Sequence, residues 1–255
     1  IPHAGTGIAF SLAVAAAFLA FFWGRPINHD TAWYLIATRE WLDGARLYRD
    51  IYEVNPPLNF YFTVPPVLLA DLTDLAPSDA QYVVIAAAIF LSLTASWLLL
   101  PGDGKWGAGR RLFFLAGLAL AMILPAINDT GQREQIMVIL CTPWLVAGLP
   151  RPAPLTNGQR IGVGLAAGLG ICLKPFFLLV PLFVTLWHVA ARSPRPILSA
   201  TNLAMGAVGI AYVGAALLLH PEYFRDVIPV ARDVYGAIRV SDPWVRIFLV
   251  VAVAP

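Results

Sequence analysis

The sequence predicts an all-α polytopic membrane protein, and three observations lead to this prediction. Of the 255 residues, 59% are hydrophobic and only 13% are charged, whereas soluble domains contain about 45–50% apolar and about 25% charged residues. The mean hydropathy is +0.72. The apolar residues are also gathered into separate stretches, several of which approach the length of about 20 residues that an α-helix needs to cross a bilayer.

The same composition excludes several classes of protein. A chain this apolar cannot remain unfolded in water, so it is not an intrinsically disordered protein. The 17 Lys and Arg residues are nearly balanced by 15 Asp and Glu residues, and no basic patch accompanies them, so no nucleic-acid partner is expected. Cys141 and Cys172 lie in separate apolar stretches without the spacing of metal ligands, so neither a disulfide framework nor a zinc site is predicted.

We predict a single membrane domain, 1–255, with an external juxtamembrane region at 25–80. The first apolar stretch, 4–24, is too long for the core of a signal peptide and is expected to be a retained helix. The final stretch stops before it is long enough to cross, so the chain is expected to be truncated at its C-terminus. The predicted crossings are residues 4–24, 81–100, 112–127, 131–149, 161–173, 175–191 and 197–219, with a partial crossing at 244–255.

The charges between these stretches predict the topology. If 25–80 is external, then 101–111, 151–160 and 192–196 are internal. These three loops carry seven basic residues and one acid, Asp103, while the rest of the chain carries ten basic and fourteen acidic residues. An excess of Lys and Arg in the internal loops is typical of membrane proteins.

The stretch 55–70 is apolar but is not predicted to cross the membrane. A crossing there would reverse every later loop and place the basic loops outside. A continuous helix through it is also expected to be costly, because proline removes a backbone donor. We therefore predict juxtamembrane helices that lie in the interface. The prolines concerned are Pro56, Pro57, Pro65 and Pro66.

A polar segment follows the first predicted crossing. Asn28, His29 and Asp30 precede an aromatic-rich run that ends before Gly44. Asp before the first turn and Gly after the last are typical of helix caps, so Asp30 is predicted to cap a short helix. A carboxylate just outside the bilayer can also serve as a general base or metal ligand. The two roles are compatible, since a capping side chain is held rigidly.

Charge is also concentrated before the double proline. Arg49, Asp50 and Glu53 lie immediately before Pro56 and Pro57. One interpretation is a solvated turn that leads into extended structure, because proline restricts the residue before it. This interpretation does not account for the polar and aromatic groups that gather beside the bilayer, so a functional role stays open.

Two further groups of charges lie at the ends of predicted crossings. Arg133 and Glu134 are expected in the first turn of 131–149, either as an interfacial ion pair or as functional residues, since charges at that depth are costly. Lys174 precedes Pro175 at the tip of a predicted hairpin of short helices. It must find a cavity with an anion, or an acidic partner on another helix.

Several glycines lie in the stretch before Lys174. Gly162 and Gly164 do not form a dinucleotide-binding motif, because the strand that such a motif follows is missing. Small residues four apart in a membrane helix, such as Gly164 and Gly168, instead predict close packing against a neighbouring helix.

In this order, the motifs resemble the bacterial membrane glycosyltransferases of the GT-C class, in the group related to protein O-mannosyltransferases and lipid A aminoarabinose transferases. That family has an acidic residue after the first membrane helix, then an aromatic juxtamembrane helix, a Pro-Pro-Leu element, a polar loop motif and a lysine at a hairpin tip. The matching residues are Asp30, Trp33-Tyr34, Pro56-Pro57-Leu58, Gly131-Gln-Arg-Glu134 and Lys174. The resemblance covers the whole chain as the N-terminal part of such an enzyme.

The sequence departs from the family pattern at two positions. Many members have Asp-Glu at the first motif, whereas Asp30 is followed here by Thr31. The residue before the double proline is often basic or His in the family and is Asn55 here, which affects the expected phosphate contact at that position.

The resemblance implies a GT-C-like bundle that transfers a sugar from a polyprenyl-phosphate donor to an acceptor on the periplasmic face of the bacterial inner membrane. The implied acceptor is a lipid, glycan or protein of the cell envelope, and membrane lipids are expected as further partners. Asp30 is implied as catalytic base or ligand of a divalent cation, and Glu53 as a second catalytic candidate. No other cofactor is implied. Lys174, Arg133, Glu134, Tyr34 and Asn55 are implied as substrate-binding residues.

The alternative is a non-catalytic membrane protein. A polytopic subunit of a complex, or a transporter-like protein, can contain broken helices and a buried lysine for packing or ion passage. A transporter is expected to repeat its broken segments in two matching halves, and the sequence has no such repeat. A structural subunit is expected to leave Asp30 and Lys174 apart, or paired with local partners.

The topology predicts opposite labelling at two loops. Single cysteines that replace Asp103 and Ser78 should react with a membrane-impermeant thiol reagent from opposite faces of the membrane, because only the first lies in a basic, internal loop. Labelling of both from the same face would contradict the topology.

Overall fold

The computed structural model describes residues 4–101, 106–191 and 195–237, which form an all-α structure. Their only β feature is an isolated bridge between Leu47 and Ile51. The predicted fold class, an all-α polytopic membrane protein, is confirmed. The helices are α1 Ala4–Phe22, α2 His29–Leu42, α3 Leu58–Thr73, α4 Pro77–Leu99, α5 Ala108–Ile123, α6 Arg133–Ala147, α7 Asn157–Ile171, α8 Leu179–Ala191, α9 Ala200–Leu219 and α10 Ile228–Ala237.

Among the described residues, four helical segments are long and apolar enough to cross a membrane: Gly5–Phe22, Pro77–Leu99, Ala108–Ala126 and Ala200–Leu219. Pro175–Ala190 is apolar but shorter. Helices α6 and α7 have 15 residues each, about 22 Å at 1.5 Å per residue, which is less than the ~30 Å of a hydrocarbon core. The partial crossing expected at 244–255 lies outside the described residues.

Helix α3 is continuous, which the prolines did not lead us to expect. Pro57 takes the N-cap position and Pro65 and Pro66 lie inside the helix. Proline at the start of a helix costs little, because the first N–H groups have no intrahelical partner in any case. Inside the helix, the lost hydrogen bonds are offset by packing. Phe60 and Val67 are buried, and α3 lies against both α2 and α4.

The ends of the helices meet in two groups. At one end, the Asn28 amide donates to the carbonyl of Asn128 at 3.2 Å, and the Tyr61 hydroxyl lies 2.9 Å from Nε2 of His220. We call this the polar end. At the other, Arg151 donates to the carbonyl of Leu99 at 3.0 Å. We call this the basic end, because it includes the parts of the predicted internal loops that the structure describes.

Helix α4 anchors the bundle along its whole length. It packs against α1, α3, α5 and α6. Near the basic end, the ring of Trp97 lies so close to Gly7 of α1 that any side chain at Gly7 would collide with it. Near the polar end, the rings of Phe22 and Tyr82 lie 5.3 Å apart. A carboxylate oxygen of Asp79 also accepts a hydrogen bond from the backbone N–H of Gly24 at 2.8 Å.

The predicted close packing of the glycines in α7 is confirmed for two of its turns. A Cβ atom built on Gly164 would lie 2.4 Å from the carbonyl oxygen of Thr201 in α9, and one on Gly168 would lie 2.9 Å from Cβ of Val208. A Cβ atom on Gly162 would meet nothing within 4 Å. The contact surface of α7 with α9 therefore runs through Gly164 and Gly168 but not through Gly162.

Two glycine substitutions test this packing. Gly164→Ala should lower the thermal stability of the purified protein, because the new methyl group overlaps a backbone carbonyl, and overpacking of this kind costs about 1–3 kcal/mol. Gly162→Ala is the matched control in the same helix and should leave stability unchanged or raise it, since Ala favours a helix by about 1 kcal/mol over Gly. Equal Tm values for the two variants would contradict the assigned contact.

Candidate active site at the polar end

The candidate site forms where the start of α2 meets the loop before α6. The Asn28 amide donates to a carboxylate oxygen of Asp129 at 3.0 Å, and the Gln132 amide donates to the side-chain oxygen of Asn28 at 3.0 Å. The Thr31 hydroxyl donates to the carbonyl of Thr130 at 3.1 Å. Three side-chain contacts thus join two segments that are distant in the sequence.

Asn28, and not Asp30, caps α2. The side-chain oxygen of Asn28 accepts from the backbone N–H of Asp30 at 2.9 Å, so the predicted capping role of Asp30 is wrong. Asp30 lies in the first turn, where a carboxylate is favoured by the helix dipole. Its side chain is 52% exposed and lies 3.1 Å from Nε2 of His29. Because the cap is supplied elsewhere, the Asp30 carboxylate is available for another role.

Gly131 allows the loop to approach α2 closely. Its φ of +87° is in the left-handed region, which side chains other than glycine rarely adopt. A Cβ atom there would also lie 2.8 Å from Nε2 of Gln81 and 3.0 Å from the Thr31 methyl group. Its backbone N–H donates to the Gln135 side chain at 2.8 Å. The conformation and position of the loop are therefore both specified by this glycine.

A small cavity of about 10 Å³ lies at this junction, enough for about one water molecule. Asp30, Tyr34 and Arg133 all line it, so the structure brings three of the predicted site residues together. The side chains and backbone around it come from α2, α3 and the loop before α6: Asp30, Thr31, Tyr34, Asn59, Thr63, Gly131, Gln132 and Arg133.

Arg133 is the unusual group in this cavity. It is only 9% exposed, and its Nη1 atom is buried without a hydrogen-bond partner among the described residues. Its guanidinium carbon lies 5.6 Å from the centre of the Tyr34 ring, where a cation is attracted by the π electrons. A buried donor without a partner is costly, so this nitrogen is ready to bind an anion.

Tyr34 forms the wall beside Arg133. Its hydroxyl is buried beside the side chains of Asn55 and Asn59, and its ring packs edge-on against Phe60 at 5.3 Å. Burial raises the pKa of the Tyr34 hydroxyl well above its usual range, although the nearby Arg133 cation opposes this shift. The hydroxyl therefore stays protonated at neutral pH and can donate a hydrogen bond at the site.

Glu53 and Asn55 lie in a turn beside the site and do not line the cavity. One carboxylate oxygen of Glu53 accepts from the backbone N–H groups of Val54 and Asn55 and from the Asn55 amide. The other accepts from Nε1 of Trp33 at 2.8 Å. These bonds hold the turn against α2. Of the two carboxylates predicted to be catalytic, Asp30 and Glu53, only Asp30 therefore lines the cavity.

Lys174 forms an ion pair with Glu134. Its side chain is 17% exposed, while that of Glu134 is 49% exposed. Lys174 also lies 5.3 Å from the ring centre of Phe176. This is the acidic partner on another helix that the sequence left open as the structural alternative. Lys174 does not line the Asp30 cavity, but it is linked to it, because Glu134 follows Arg133 in the first turn of α6.

Sequence reasoning missed several residues of the site. Asn28 was taken as part of a polar segment and not as the cap, and the roles of Asp129 and Gln132 in docking were not foreseen. Asn59 and Thr63 were hidden in the ambiguous stretch 55–70. Their spacing of four, which places two polar residues on one helical face, was the available signal.

The comparisons with known proteins agree with a membrane glycosyltransferase. The chain is 30% identical over 205 residues to a polyprenol-phosphate-mannose-dependent α-(1-2)-phosphatidylinositol mannoside mannosyltransferase of Mycobacterium tuberculosis. The match covers 73% of this chain and 46% of that protein, so the chain spans about half the length of its relative. No family model and no solved structure matches the chain.

Proposed function

We propose that the protein is a membrane glycosyltransferase of the GT-C class, which transfers a sugar from a polyprenyl-phosphate donor to an acceptor hydroxyl. The observation that carries this proposal is that Asp30 lines the same small cavity as Arg133, whose Nη1 atom has no hydrogen-bond partner among the described residues. A base and an anion-binding group side by side are the two elements that this reaction needs. The similarity to a mannosyltransferase that uses a polyprenol-phosphate donor supports the same function.

Asp30 is proposed as the general base. It removes the proton from the acceptor hydroxyl while the hydroxyl oxygen attacks the anomeric carbon of the donor sugar. The bond between that carbon and the phosphate oxygen then breaks, and polyprenyl phosphate leaves with the bonding electrons. The position of Asp30 is well defined for this step, because Asn28 caps the helix and the Gln132 amide lies 3.5 Å from its carboxylate.

Arg133 is proposed to bind the donor phosphate and stabilise its charge as it departs. Its buried Nη1 atom gains a strong, charge-assisted hydrogen bond in that complex, and the low exposure of the site strengthens the interaction. The protonated Tyr34 hydroxyl supplies a second donor nearby. Because the leaving group is a phosphate, stabilisation of its charge replaces a general acid.

The predicted role of a divalent cation has a chemical basis at the same place. Mg²⁺ is commonly held by one or two carboxylates together with substrate phosphate groups. Asp30 and Asp129 both accept from the Gln132 amide and are the residues that would hold such an ion, which would neutralise phosphate charge. Among the described residues, no three His, Cys, Asp or Glu side chains are grouped to hold a metal, so the ion would depend on the donor.

We further propose that the polar end faces the periplasm, that the protein resides in the bacterial inner membrane, and that its acceptor is a lipid-linked glycan of the cell envelope. The basic residues between the helices support this orientation. The acceptor class rests on the relative, whose acceptor is named as a phosphatidylinositol mannoside.

The Asp30→Asn variant tests the proposed base. We expect its turnover to fall by a factor of about 10²–10⁴, the usual contribution of general acid–base catalysis, while donor binding is kept. The fold should be unaffected because Asn28 supplies the cap. The measurement is transfer of radiolabelled sugar from polyprenyl phosphate by the whole protein in lipid vesicles.

Two variants serve as controls for this experiment. Glu53→Gln should keep most of the turnover, because Glu53 holds a turn and does not line the cavity. Arg133→Gln should instead weaken donor binding. If Asp30→Asn retains normal turnover, or if Glu53→Gln loses as much as Asp30→Asn, the assignment of Asp30 as the base is wrong.

A double-substitution cycle tests the role of Lys174, which we propose also contacts the donor phosphate. Lys174→Met should lower stability, because it leaves Glu134 without its partner. It should also lower donor affinity, because the proposed contact of Lys174 with the donor phosphate is lost. Adding Glu134→Gln should restore stability. Donor affinity should stay reduced by about 1.5–3 kcal/mol, the range for a lost hydrogen bond to a charged group. Recovery of donor affinity in the double variant, measured by binding of polyprenyl phosphate, would show that Lys174 only pairs with Glu134.

A further inference from the structure

A second, much larger cavity opens at the basic end. Its volume is about 1050 Å³, larger than most small-molecule pockets, which span about 300–1,000 Å³. Its wall is formed by the end of α6, the start of α7, the end of α8 and the start of α9. Because these are helix ends, the cavity lies at the depth at which a bilayer changes from acyl chains to headgroups.

The wall is largely apolar and open to the side. Phe183 is 64% exposed, Trp187 72% and Leu145 49%. Exposed apolar side chains of this size face lipid in a membrane protein, and tryptophan is enriched at the interface between chains and headgroups. The wall therefore suits the part of an acyl chain that lies next to the lipid headgroup.

The polar part of the wall carries positive charge without a carboxylate. Arg151 and Arg160 both line the cavity, and none of the described residues around it is Asp or Glu. Arg151 donates to the backbone carbonyls of Leu99, Val146 and Ala147, which fixes its side chain, and no carboxylate among the described residues pairs with its charge. Arg160 forms no ion pair with any carboxylate in the described part of the chain.

We propose that this cavity binds an anionic phospholipid of the surrounding bilayer, with its phosphate at Arg160 and an acyl chain against α8. Charge complementarity selects the anionic class, since basic pockets between membrane helices on the cytoplasmic side bind such headgroups. The positive-inside prediction places the basic end in that leaflet. The lipid would fill the space between α6, α8 and α9 and hold these helix ends together.

Native mass spectrometry of the whole protein tests this site. The protein is purified in a mild detergent and mixed with equal amounts of phosphatidylglycerol and phosphatidylcholine. We expect preferential retention of phosphatidylglycerol. In Arg160→Gln that retention should fall about fivefold, corresponding to about 1 kcal/mol for one basic residue near a lipid surface, while Arg160→Lys should keep most of it.

Arg110→Gln is the matched control, because Arg110 is an exposed arginine at the same end that does not line the cavity. It should leave the retention of phosphatidylglycerol unchanged. Elution of each variant as a single species in size-exclusion chromatography verifies that it is folded.

Three results would overturn the proposal. They are equal retention of the two lipids by the original protein, an equal loss in Arg110→Gln and Arg160→Gln, and crosslinking that shows a protein segment in the cavity. None of these results depends on transfer activity, so they do not bear on the proposed glycosyltransferase function.

Discussion

The polar end depends on one contact, the docking of Asn28 onto the loop before α6. Its side-chain oxygen caps α2 and accepts from Gln132, while its amide donates to Asp129 and to the carbonyl of Asn128. The partners on the loop lie about 100 positions further along the chain, so no local preference of either segment can create this arrangement. Without it, the Thr31–Thr130 hydrogen bond and the close packing at Gly131 would be left to set the position of Asp30 relative to Arg133.

The buried charge of Arg133 lies beside this docking contact and is the basis of the proposed anion binding. A guanidinium group that is removed from water loses hydration, and the loss must be recovered from hydrogen bonds or an opposite charge. The Tyr34 ring supplies part of the compensation through its π electrons. Glu134 follows Arg133 in the sequence, but its negative charge is paired with Lys174 and so compensates Arg133 less. The remaining deficit is localised at Nη1, which has no hydrogen-bond partner among the described residues, and Asp30 lines the same cavity as Arg133.

Composition and periodicity were sufficient to predict the fold class, because hydrophobic length and the absence of charge are properties of single segments. The grouping of Asp30, Tyr34 and Arg133 was also within reach, since all three were selected as polar or aromatic groups beside predicted crossings. The N-cap of α2 and the continuous course of α3 could not be predicted from the sequence. Asn28 and Asp30 are both good caps, and only the hydrogen bonds from the distant loop decide between them. Likewise, the cost of Pro65 and Pro66 could be read from the sequence, whereas the burial of Phe60 and Val67 that offsets it could not.

Helix α7 connects the two ends of the molecule mechanically. Near the basic end, Gly164 lies against the backbone of Thr201, a residue that lines the large cavity. Near the polar end, a Cβ atom on Gly170 would lie 3.1 Å from Cβ of Leu140 and 3.3 Å from the Cα atom of Met137 in α6. Lys174 lies four positions after Gly170, and α6 begins with Arg133 and Glu134. These contacts bring helix backbones together without flexible side chains between them, so α7 joins the wall of the large cavity to the helix that begins with Arg133 and Glu134.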